Sequence, residues 1–132
     1  MMVNYLAVVI AALAAFGLGL IWHTVLLKPW LKALGKPSAE VERKGYTMPF
    51  IITFVSLLVM SWVLAGIMAH MGQVHVRGGL ITGALVWLGF VLTTLGTNDA
   101  FEGVKPTLTL IDTAFWLCAL LIIGAVIGAF GT

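Results

Sequence analysis

Asp112 is the only carboxylate set inside a long apolar stretch of this 132-residue chain. An aspartate near the middle of a bilayer costs roughly 2.5–3.5 kcal/mol, less toward the interface. It persists there by taking up a proton or by finding a partner inside the protein. His23 lies in another apolar stretch at a matching depth and is the natural partner, because histidine exchanges protons near neutral pH. Such a pair can relay a proton or hold a cation. Thr109 shares the helical face of Asp112, and Trp87, Thr94 and Asn98 form a polar stripe in a third stretch. Asp112, His23, Thr94, Asn98, Trp87 and Thr109 therefore make up the candidate ligand site. Each also has a structural use. Threonines in membrane helices bond back to their own backbone, Asp112 can bond a helix terminus or a threonine, and His23 can sit at the headgroup boundary.

Other chemistries find less support. There is no Ser/His/Asp arrangement, no phosphate-cradling glycine loop and no dinucleotide fingerprint, so no catalytic residue is assigned. Enzymatic action on a lipid or quinone ranks last, and no cofactor is implied. His70 and His75 lack a third metal ligand, and His70 lies at the opposite end of its helix from His23, which excludes haem ligation by that pair. Cys118 is the only cysteine, so neither an intrachain disulfide nor a thiolate cluster is available. A net charge of +2 without a basic, aromatic tract argues against nucleic acid. Asp99 and Glu102, close to Gly103, Lys105 and Pro106, read as a solvated turn.

The elements that position these residues follow from composition. Hydrophobic residues make up 61% of the chain and charged residues 9%, against about 25% charged in a soluble domain. So few charges cannot cover a globular surface, and lipid must face much of it. Four apolar runs, about 5–27, 47–71, 79–97 and 106–130, each have the length of a bilayer helix. Pro49 fits a first turn and Pro106 an N1 position. The first run has no basic n-region and reads as a span rather than a cleaved signal peptide. The expected fold is one all-α domain over residues 1–132, an antiparallel bundle of four transmembrane helices. A short interfacial segment, about 29–44, lies between the first two. In it Trp30, Leu31 and Leu34 form an apolar face that ends at Gly35, with Trp30 as an anchor, and Ser38 caps a second turn over 39–44. Six of the seven Lys and Arg lie in the first and third links. The positive-inside rule then puts both termini outside and those links in the cytoplasm, as for a bacterial inner-membrane protein.

Polar and small residues divide between the two ends. His23, Thr24, Thr53, Ser56, Thr93, Thr94, Thr97, Asn98, Thr109, Asp112 and Thr113 gather in the cytoplasmic half. Ala7, Ala11 and Ala15, with the Gly79/Gly83 and Gly124/Gly128 pairs, provide small faces for close helix approach, mostly in the outer half. The pattern predicts a bundle sealed at the outer end, with a polar pocket open to the cytoplasm. Gly19, one turn before His23, leaves room beside its ring. Gly124 and Gly128 are turned about 120–160° from Asp112 at 100° per residue. They are assigned to another contact, and a homo-oligomer would use that pair or the Ala7/Ala11/Ala15 face.

Gly17-Leu18-Gly19-Leu20-Ile21-Trp22 followed by Trp30, then Gly83 with Trp87-Leu88-Gly89-Phe90, Phe101-Glu102-Gly103 and Leu110-Ile111-Asp112-Thr113-Ala114, resemble domain-of-unknown-function family 1761. These are small bacterial membrane proteins, and the resemblance spans nearly the whole chain. It implies four membrane helices and brings no activity or functional residue with it. Members resemble one another in carrying an aromatic residue where this chain has His23. Two functions are carried forward. One is a bundle whose pocket binds a proton, cation or small ligand, in the service of transport. The other is a structural or accessory subunit of a membrane complex that has no ligand of its own.

Overall fold

A computed structural model describes residues 3–34 and 45–131 of the chain. The expected stop at Gly35, the Ser38 cap and the turn over 39–44 lie outside the described residues. Among the described residues the fold has four long helices and one short one: α1 Tyr5–Val25, α2 Leu27–Leu34, α3 Thr47–Met71, α4 Val76–Glu102 and α5 Pro106–Phe130. All but α2 are long and apolar enough to cross a membrane. The fold is all-α, with the short helix between the first two spans.

Local chemistry sets most helix ends. Asn4 caps α1, its side-chain oxygen accepting from the Ala7 N–H at 3.2 Å. α3 and α4 stop at Gly72 and Gly103, both with φ near +70°, a conformation glycine adopts without steric penalty. The next residues close each end with 6→1 bonds, from Gln73 N–H to Met68 O and from Val104 N–H to Asp99 O, both 2.9 Å. Pro106 opens α5 in the first turn, where its missing N–H costs nothing.

The third span is longer than the expected 79–97. At its start His75 acts as N-cap, its Nδ1 accepting from the Gly78 N–H at 2.9 Å, which draws Val76, Arg77 and Gly78 into the helix. At its end Asn98 to Glu102 stay helical, because polar residues do not stop a helix and the first positive-φ glycine is Gly103. The carboxylates Asp99 and Glu102 thus belong to a final helical turn rather than to a solvated loop. Within α4, residues Trp87–Leu92 form a π-helical stretch.

α5 is the hub. It packs against α1, α3 and α4 and also touches α2, and 39% of its apolar window is buried, against 22% for α3 and for α4. Glycines make the α4–α5 contact. A Cβ on Gly79 would land on the Gly124 carbonyl, one on Gly124 would land on Gly79, and one on Gly83 would come within 2.7 Å of Leu120 O. Gly128 approaches the His75 backbone in the same way. On α1, Ala7, Ala11 and Ala15 are completely buried in the core with Leu57, Leu64 and Met68 of α3. Ser61 of α3 donates to the Val8 carbonyl of α1 at 2.8 Å. Both small-residue faces assigned to a homo-oligomer are therefore packed inside the chain. The rotation of Gly124 and Gly128 away from Asp112 is real, but it serves the contact with α4.

Candidate functional site

The end of the bundle that carries α2 is packed differently. There α1, α2, α3 and α5 diverge around a cavity of about 650 Å³. α1 contributes Phe16, Gly19, Leu20, Trp22 and His23, its C-cap Leu26 follows, and α3 contributes Pro49, Phe50 and Thr53 from its first turns. α5 contributes Ile111, Asp112, Phe115 and Trp116. Trp30 of α2 closes one side. It was expected as an interfacial anchor, but the burial of Ala33 and the contact of α2 with α5 turn Trp30 inward while Lys28 and Lys32 stay exposed.

His23 and Asp112, far apart in sequence, thus face one space, although no hydrogen bond joins them. His23 instead sits among rings, with centroids at 4.5 Å to Tyr46, 5.5 Å to Phe50 and 6.0 Å to Trp30, all edge-on. That is the setting an aromatic residue would occupy at this position. Asp112 is half-buried. Trp30 lines the same cavity as the Asp112 carboxylate. The room that Gly19 leaves is taken by the Phe115 ring, 3.3 Å from where a Cβ would stand. The Trp22 indole N–H, on a ring that lines the cavity, is buried and has no acceptor among the described residues, a state that costs about 1–3 kcal/mol if nothing fills it.

The other four sequence candidates lie elsewhere. The Trp87 indole donates to the Thr113 carbonyl at 2.8 Å and ties α4 to α5. Thr109 donates to Asp99 at 2.7 Å and fastens the last turn of α4 to the first turns of α5. Thr94 lines a separate, shallower groove between α3 and α4, together with Val55, Val59 and Phe90. Asn98 is exposed. The polar stripe of the third span does not reach the cavity because α4 packs on the opposite flank of α5, where its glycines seat. Sequence reasoning missed Tyr46, Phe50 and Phe115, while Trp116 shares the helical face of Asp112. Their spacing as wall residues is that of any apolar helix, and only the convergence of three helices distinguishes them.

His70 and His75 form no site together, since His75 is committed to capping α4 and its Nε2 pairs with Gln73 Oε1 at 2.9 Å. Cys118 is a half-buried free thiol on α5. No curated protein and no solved structure matches this chain. The family model matches residues 6–128, which span all four apolar helices and the tryptophan-rich cavity end: the chain belongs to DUF1761, a family of proteins of unknown function.

Proposed function

We propose that this protein is a multi-pass membrane bundle whose cavity binds a cation or small ligand, and that Asp112 is the group that meets it. The observation that carries this reading is the convergence of His23 and Asp112 on one cavity of about 650 Å³, a volume within the range of about 300–1,000 Å³ typical of small-ligand sites. An ionisable group at membrane depth that faces a cavity rather than lipid is placed for function. The bias of Lys and Arg toward the first and third links supports a cytoplasmic opening, with both termini outside the inner membrane of a bacterium. In a transporter, a bundle of four helices would work as a pair of copies, joined through surfaces other than the glycine and alanine faces already filled. The competing reading, an accessory subunit of a membrane complex, would likewise need other surfaces for docking.

The test is Asp112→Asn, which keeps the shape and removes the charge. Expression and thermal stability should stay within a few degrees of wild type, while any growth or flux phenotype of the wild-type protein should be lost. A variant that matches wild type in growth and flux as well would refute a functional role for Asp112.

A further inference from the structure

The cavity wall differs in composition from the rest of the molecule. It takes seven of the chain's fourteen Trp, Tyr and Phe residues, including three of the five tryptophans. Asp112 is the only carboxylate in its described lining, and no described Lys or Arg lines it. Aromatic faces are negative and attract cations, most strongly where water is excluded. An aliphatic wall would bury an apolar ligand just as well, so rings combined with a carboxylate select for positive charge on an apolar body. A hard metal ion is poorly served, because it needs several oxygen ligands and the wall offers one carboxylate. A proton alone requires no space of this size.

This deepens the reading of the cavity as a ligand site and rests on it: we propose that the cavity holds an alkylammonium group, with Asp112 as its counter-charge and Trp30, Tyr46, Phe50 and Trp116 as its aromatic enclosure. That chemistry has two sources at a membrane, a free amphiphilic amine and the ammonium of a lipid headgroup.

The experiment uses the purified full chain in a neutral detergent and follows the fluorescence of the wall tryptophans. Benzyltrimethylammonium is titrated against 2-methyl-1-phenyl-2-propanol, which has a similar shape and no charge. The expected result is saturable binding of the cation at least tenfold tighter than the alcohol. Asp112→Asn should abolish that preference, and Trp30→Leu should weaken the cation about threefold or more. The second variant decides the matter if the first does not fold. Repeating the titration in phosphatidylglycerol bilayers with and without phosphatidylethanolamine separates the sources. Competition that disappears in Asp112→Asn identifies the lipid headgroup, and unchanged affinity identifies a free amine. Equal binding of cation and alcohol would overturn the ligand class while leaving the cavity a ligand site. Binding of neither would overturn both, and would make these rings a membrane-interface girdle.

Discussion

At the scale of single residues, the polar groups of this protein divide into those that fasten helices together and those that face space. Trp87, Ser61 and Thr109 are fasteners, each making one hydrogen bond of 2.7–2.8 Å to another helix. Trp87→Phe keeps most of the ring and deletes the donor to Thr113, and it should lower stability by about 1 kcal/mol. Thr94→Ala, in an open groove, should fall within about 0.5 kcal/mol of wild type. Thermal unfolding of the two variants in one detergent checks the pair, and equal losses would contradict the assignment. Asp112 and His23 face the cavity instead, and their importance should appear in binding or flux rather than in stability.

At the scale of helices, the α4–α5 contact depends on the absence of side chains. Gly79 and Gly124 meet backbone to backbone, an approach in which dispersion and close packing drive association in lipid. Backbone cannot step aside as a flexible side chain can. Gly124→Leu should therefore abolish a monodisperse, folded species on size-exclusion chromatography. Gly96→Ala, in the same α4 but with nothing within 4 Å of the added Cβ, should be tolerated, and helix propensity favours Ala by up to about 1 kcal/mol. Loss of assembly in both would mean that propensity or insertion, rather than contact, governs these glycines.

Over the whole molecule, one end is sealed by alanine and glycine while the other opens into an aromatic cavity. The lysine and arginine bias predicts that the cavity end faces the cytoplasm. In a Cys118→Ala background, Gln73→Cys in the α3–α4 turn should react with a membrane-impermeant maleimide added outside intact bacterial cells. Lys105→Cys should react only after the cells are opened. The reverse pattern would invert the protein and direct the cavity outward. The sequence located the polar end and put His23 and Asp112 at one depth, because depth is set by distance along each helix, and both line the cavity without a bond between them. It assigned Thr94, Asn98 and Trp87 to that space incorrectly, because equal depth does not imply the same side of α5.

The sequence by itself determined the number of spans and roughly where each one lies. Transfer of a residue into lipid, and a glycine's ability to turn a chain at φ near +70°, are local properties that sum along the chain. Only the tertiary structure decided which faces meet. These helices are apolar on nearly every side and lipid is as apolar as a neighbouring helix, so no hydrophobic gradient tells a span which way to turn. Rotation is set instead by shape, by Gly79 against Gly124 and Ala11 within the α1–α3 core. That packing puts Tyr46, Phe50, Phe115 and Trp116 around a single carboxylate.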